Sequence, residues 1–107
     1  ETIFVSFGST SRSVRSAMRS LREQGHRCRL FRPTVIWPFF YPVLHKASQN
    51  PATKRFVVVE MNAGQMAGEV QRAVCGNATV HRIGRLNGEI LAPPEIETSF
   101  LEIIRDV

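Results

Sequence analysis

The chain has 107 residues, 43% of them hydrophobic and 21% charged, which fits one domain around a single core. No apolar run nears the ~18 residues needed to cross a bilayer, so the predicted domain is soluble and has no membrane partner. Fourteen Lys and Arg against nine Asp and Glu leave +5, which admits an acidic partner or a nucleic acid without naming either.

Thr2 to Phe7 is a β-rich apolar run and predicts the first strand. Gly8-Ser9-Thr10 closes it, and its hydroxyls are expected to cap a helix running from Arg12. Val14, Ala17, Met18 and Leu21 recur at helical spacing and face a sheet in this reading, with Gly25 as the stop. Arg27 to Phe31 predicts a second strand. Pro33 and Trp37-Pro38 then make a stiff connection to a short helix carrying Phe40, Val43, Leu44 and Ala47, ended by Asn50-Pro51. Arg55 to Glu60 is nearly all apolar, as a strand covered on both faces of a parallel sheet should be. Helical spacing returns from Gln65 to Cys75 through Met66, Val70, Ala73 and Val74. Thr79 to Ile83 predicts the fourth strand and Asn87-Gly88 a turn; Pro93-Pro94 opens a last helix with Ile96, Phe100, Ile103 and Ile104 inward. This alternation calls for a three-layer α/β/α sandwich with right-handed crossovers, one domain spanning 1–107. The opening at Glu1, without Met and without a basic, apolar leader, reads as a piece cut from a longer chain.

Two polar turns lie between a strand and a helix. At Gly8, Ser9, Thr10 and Ser11 the free N–H groups of a helix start favour an anion such as phosphate, and capping accounts for the same residues. At the second turn Asn62 is placed to cap the next helix and Gln65 to reach back to the Asn62 amide. Gly64 and Gly68 lack the GxGxxG spacing and no Lys-Ser/Thr follows, so neither a dinucleotide fingerprint nor a P-loop is present. Glu60 ends a buried strand, so its carboxylate needs a hydrogen-bond partner in a neighbouring turn or in another subunit. If the first and third strands are adjacent and the chain reverses direction between them, both turns border one crevice at the carboxyl edge, where open α/β sheets bind ligands.

Arg12, Arg15, Arg19 and Arg22 step by three, four and three and make one basic stripe opposite Val14, Met18 and Leu21, either a solvated face or a dock for an acidic protein. Interleaved aromatics and nucleic-acid-binding modules are lacking, so no nucleic-acid partner is expected. His26, His45 and His81 lie on separate elements without metal-like spacing, and no serine sits in GxSxG. Cys28 and Cys75 lie in apolar segments and read as free buried thiols suited to a reducing cytoplasm, rather than a disulfide or metal site. Trp37, Phe39, Phe40 and Tyr41 form an aromatic segment for core or subunit-interface packing, with ligand stacking as the alternative.

Several blocks together resemble a known family. They are Phe7-Gly8-Ser9-Thr10, Phe31-Arg32-Pro33 with Trp37-Pro38-Phe39, Val57 through Gln65 with its Glu-x-Asn-x-Gly-Gln, and Gly84-Arg85-Leu86-Asn87-Gly88-Glu89 with Pro93-Pro94-Glu95-Ile96. In order and spacing they are similar to the second, C-terminal domain of the alpha subunit of 2-oxoacid:ferredoxin oxidoreductases. Phe40 departs from the pattern, since relatives often carry Pro there.

The resemblance implies a fold like the transketolase C-terminal domain, a mainly parallel sheet of four or five strands in the order 2-1-3-4. It also implies a whole enzyme that decarboxylates 2-oxoacids on thiamine diphosphate with Mg, passes the acyl group to coenzyme A and sends electrons through iron–sulfur clusters to ferredoxin. The family's cofactor-binding and substrate-binding residues belong to the preceding alpha domain and the beta subunit, so no catalytic or cofactor-binding residue is carried over to this piece. Its expected work is assembly with those two partners, through Glu60, Asn62, Gly64 and Gln65 and through Trp37 to Tyr41. A stand-alone module binding phosphate or coenzyme A at Gly8 to Ser11 is the alternative.

Overall fold

The computed structural model describes residues 2–6, 10–32, 41–60, 65–84 and 92–105, with backbone alone at Tyr41 and Gln65. Strands and helices alternate as β1 (Thr2–Val5), α1 (Thr10–Glu23), β2 (Cys28–Phe31), α2 (Tyr41–Ser48), β3 (Arg55–Glu60), α3 (Gln65–Val74), β4 (Thr79–Gly84) and α4 (Pro93–Arg105). The four described strands form one parallel sheet in the order β2-β1-β3-β4. The expected α/β architecture and core order are therefore found.

Side-chain alternation along the strands divides the core between two faces. Phe4, Val57 and Val59 meet Val14, Ala17 and Leu21 of α1 and Ile96 and Phe100 of α4. On the other face Ile3, Val5, Phe56 and Val58 meet Leu44 of α2 and Met66, Val70 and Val74 of α3. The reversal has a topological cause. The β1-to-β2 crossover runs toward one edge and the β2-to-β3 crossover runs back past β1, so with both right-handed, α1 and α2 fall on opposite faces. Each fully buried side chain in these layers, such as Phe4, Phe56 or Phe100, contributes about 1.5–3 kcal/mol.

Helix ends follow local chemistry. Gly25 closes α1 at φ 94°, the Gly25 amide bonds the Arg22 carbonyl at 3.0 Å, and the His26 amide reaches back to the Leu21 carbonyl at 3.0 Å. This paired pattern needs the left-handed residue that glycine supplies. Asn50 ends the α2 turn as expected, its side-chain oxygen accepting from the Ala52 amide at 3.0 Å.

Several details depart from the sequence reading. The first helix begins at Thr10 instead of Arg12, which places Thr10 and Ser11 inside its first turn rather than in a capping position before it. The third helix stops at Val74, because Cys75 and then Gly76 turn left-handed at φ 53° and 78°. Cys75 is consequently exposed and not buried, while Cys28 is buried as expected. Ile96 and Phe100 are in the core, and Ile103 and Ile104 pack only at its margin. The Asn87-Gly88 turn lies outside the described residues.

Candidate functional site

The chain reverses its winding direction between the adjacent strands β1 and β3, the condition set in the sequence for a crevice at their carboxyl ends, with α1 rising on one side and α3 on the other. From the β1 side come Ser6, Thr10 and Ser11, exposed to only 0%, 3% and 3%. The Ser6 and Ser11 hydroxyls lie 2.9 Å apart in a buried hydrogen bond that ties the strand end to the first turn of α1. Gly8 and Ser9 lie outside the described residues. Of the expected anion turn, the described part is thus buried and one of its hydroxyls bonds inside the chain.

From the β3 side comes Glu60, 4% exposed. It shares a sheet face with Phe56 and Val58, the face covered by α3. One carboxylate oxygen accepts from the Met66 amide at 3.1 Å and the other from the Ala67 amide at 3.2 Å. These are amides of the first turn of α3, left without helical partners and carrying the positive end of the helix dipole. The position that a phosphate would take at this helix start is filled by the chain's own carboxylate. Arg82 completes the arrangement, donating from Nε to Glu60 at 3.2 Å.

Sheet register explains why Arg82 can reach. Val58 pairs with Arg82 and Glu60 with Gly84, so Arg82 stands diagonally across from Glu60 on one face. Gly84, directly opposite Glu60, has no side chain, and a Cβ placed there would lie 2.7 Å from Arg82 Nη2 and against the Glu60 carbonyl. The bare glycine leaves the lane through which the guanidinium passes. Glu60 stands out in the sequence because it needs a partner; nothing there links Arg82 or Gly84 to it, since only the pairing of β3 with β4 joins them.

Of the other interface candidates, Trp37, Phe39, Phe40, Asn62 and Gly64 lie outside the described residues. Tyr41 and Gln65 are the first residues of α2 and α3. The expected caps from Asn62 and Gln65 likewise fall outside the description.

The basic stripe is present and larger than its helix. Arg15, Arg19 and Arg22 line a groove of about 770 Å³ together with Arg29 and Arg32 beside β2, with Glu23 the acidic residue among its lining. Strand alternation sends Cys28 and Leu30 toward α1 and Arg29 and Phe31 to the other face, and Arg29 at this edge also lines a smaller cavity beside Val43 and Leu44 of α2. Arg22 also supports the fold, donating to the Cys28 carbonyl from Nε at 3.1 Å and Nη2 at 2.7 Å. Burial pushes the Cys28 thiol pKa up, with the nearby Arg22 charge and hydrogen bond pulling the other way.

The histidines pack separately. His45 Nδ1 lies 2.9 Å from the Ala73 carbonyl and joins α2 to α3, His26 meets the Phe100 ring edge-on, and His81 has a pKa lowered by burial and then by Arg55. Among the described residues no three of His, Cys, Asp and Glu converge. No described helix is long and apolar enough to cross a membrane.

Residues 1–96 match the family described as pyruvate:ferredoxin oxidoreductase core domain II. The chain belongs to this family. It is 38% identical over 101 residues to the 2-oxoglutarate synthase subunit KorA of Methanothermobacter thermautotrophicus, covering 94% of this chain and 26% of that subunit. It is also 31% identical over 107 residues to the ketoisovalerate oxidoreductase subunit VorB of the same organism, covering 100% of this chain and 28% of the subunit. A core domain II chain thus spans about a quarter of the length of the curated relatives it matches. Its fold is shared with a solved 2-oxoglutarate:ferredoxin oxidoreductase from Magnetococcus marinus that has 2-oxoglutarate, coenzyme A and succinyl-CoA bound, at a TM-score of 0.75 and 22% identity over 97% of this core domain II chain and 18% of that one.

Proposed function

We propose that this core domain II chain is a noncatalytic assembly domain in the alpha subunit of a 2-oxoacid:ferredoxin oxidoreductase. The observation that supports the noncatalytic reading most is the internal engagement of the polar groups at the sheet's carboxyl edge. A general acid or base must come within hydrogen-bond reach of a reacting group. Here Glu60 holds α3 and Arg82, and Ser11 holds Ser6.

The whole enzyme would oxidatively decarboxylate a 2-oxoacid of the 2-oxoglutarate or pyruvate type, form an acyl-CoA and reduce ferredoxin. Thiamine diphosphate with Mg would supply the decarboxylation chemistry in the neighbouring modules. The residues of this chain do not fit an iron–sulfur cluster, which takes four thiolates. Its two cysteines are separated, Cys28 in the core on the α1 face and Cys75 beyond the end of α3. The partners of this domain would be the preceding alpha domain and the beta subunit, met through the Glu60 to Gln65 turn and the Trp37 to Tyr41 segment, in a cytoplasmic enzyme.

The test uses the full alpha subunit expressed with its beta subunit. Trp37→Ala combined with Phe39→Ala is expected to lower the fraction of assembled complex on gel filtration, while the assembled remainder keeps kcat within about twofold. Turnover lost from a fully assembled complex would overturn the noncatalytic assignment. Heat released on titrating the domain with coenzyme A would favour the anion-binding module instead.

A further inference from the structure

Half of the arginines stand together. Arg12, Arg15, Arg19 and Arg22 run along α1, and Arg29 and Arg32 join the last three in lining the 770 Å³ groove, where Glu23 is the acidic residue. Six arginines against one glutamate leave five positive charges, as many as the net +5 of the whole chain, so the other eight Lys and Arg balance the other eight Asp and Glu. Both lysines lie elsewhere, Lys46 on α2 and Lys54 just before β3.

This arrangement works against the helix that carries it. Arg12 and Arg15, Arg15 and Arg19, and Arg19 and Arg22 are three or four residues apart, the spacing at which like charges on a helix repel. The first turn of α1 holds Arg12 and no acidic residue, at the end where the helix dipole disfavours a cation. Arg12, Arg15 and Arg19 are exposed and form no ion pair with any described residue. Arg22 alone on this ridge is anchored, by its two bonds to the Cys28 carbonyl. A solvated face favours the strongly hydrated ammonium of lysine, whereas protein interfaces are enriched in arginine and depleted in lysine. The residue type and the missing counter-charge both point to a carboxylate surface supplied from outside the domain.

We propose that a helix of the beta subunit packs along α1, its carboxylates repeating every three or four residues to meet Arg12, Arg15 and Arg19. Those three arginines climb α1 over about 10 Å, and a helix laid alongside presents side chains at the same interval. A separate polypeptide is favoured over the preceding alpha domain because concentrated charge speeds an encounter made by diffusion, while a domain joined through the chain needs no steering. No aromatic residue stands among the arginines of α1 to stack a base, which favours a protein over a nucleic acid. The inference rests on the reading of the chain as an alpha-subunit domain that assembles with a beta subunit, and adds a surface apart from the Glu60 to Gln65 turn and the Trp37 to Tyr41 segment.

The experiment uses the full alpha subunit with its beta subunit. Arg19→Lys keeps the charge and provides an amine that a carbodiimide couples to a carboxylate in contact with it. The expected product joins position 19 to an Asp or Glu of the beta subunit; a link within the alpha subunit only, Glu23 included, or no link overturns the proposal. Arg15→Glu with Arg19→Glu is expected to weaken association of the two subunits at least about tenfold at low ionic strength, the difference shrinking toward 1 M salt, and a carboxylate-to-lysine change at the linked beta position is expected to restore it. Association that ignores the reversal, or is not restored, also overturns the proposal. Trp37→Ala with Phe39→Ala separates the two readings. If the aromatic pair lowers assembly and the arginine pair does not, the assembly role stands and this surface falls; if neither lowers it, both fall.

Discussion

A carboxylate at the end of a strand covered on both faces is costly unless it is hydrogen-bonded, and at Glu60 the bonds come from two helix amides and a guanidinium. Glu60→Ala leaves those donors buried without their acceptor and is expected to lower unfolding stability by about 2–4 kcal/mol. Glu60→Gln keeps one acceptor oxygen but turns an NH₂ toward a donor, so a smaller loss of about 1–2 kcal/mol is expected. Urea unfolding at unchanged m-value distinguishes the two, and equal losses would show that one retained amide oxygen does not hold the helix start. Gly84→Ala should cost about 1–3 kcal/mol, because the added methyl meets the Glu60 carbonyl and the Arg82 guanidinium. Both changes disturb one contact, so Glu60→Gln with Gly84→Ala should cost less than their sum, and strict additivity would mean that Gly84 has no part in seating Arg82.

Helices α1 and α3 end with different chemistry, and the difference decides what the sequence discloses. At α1 the left-handed residue is Gly25, a stop that the residue type alone announces. At α3 the first left-handed residue is Cys75, and apolar spacing runs through Val74 into it without a break, so periodicity carries the helix one residue too far and buries a thiol that is exposed. Cys75→Gly relieves a backbone conformation that L side chains adopt at a cost, and should stabilise the domain by about 0.5–1 kcal/mol in denaturant unfolding. A loss of stability would show that the thiol, 2.9 Å from the Arg72 carbonyl, contributes more than the strain removes. The β3 bounds are legible because Phe56-Val57-Val58-Val59 is an unbroken apolar run ending at a charge. The partners of Glu60 are not, because a side chain before the turn serves a helix start after it only when the loop's path brings them together. Arg82 is 22 residues further along and reaches Glu60 only through strand register.

Charge is uneven across the whole domain. Of the net +5, much lies where α1 and β2 form the groove, so Arg15, Arg19, Arg29 and Arg32 repel one another within one neighbourhood. The sign of a charge reversal there reports whether anything acidic covers the groove. In a preparation of the 107-residue domain, Arg19→Glu removes repulsion and should raise Tm at low ionic strength, the gain fading near 1 M salt, where the Debye length is about 3 Å. In the full-length alpha subunit assembled with its beta subunit, a fall in Tm for the same substitution would mark an acidic neighbour over the groove, the docking role weighed for the basic stripe of α1. Thermal melts of the two preparations in parallel test this. A rise in both would mean that the groove stays open to solvent in the longer chain, and its arginines would then be a solvated surface rather than a dock for an acidic protein.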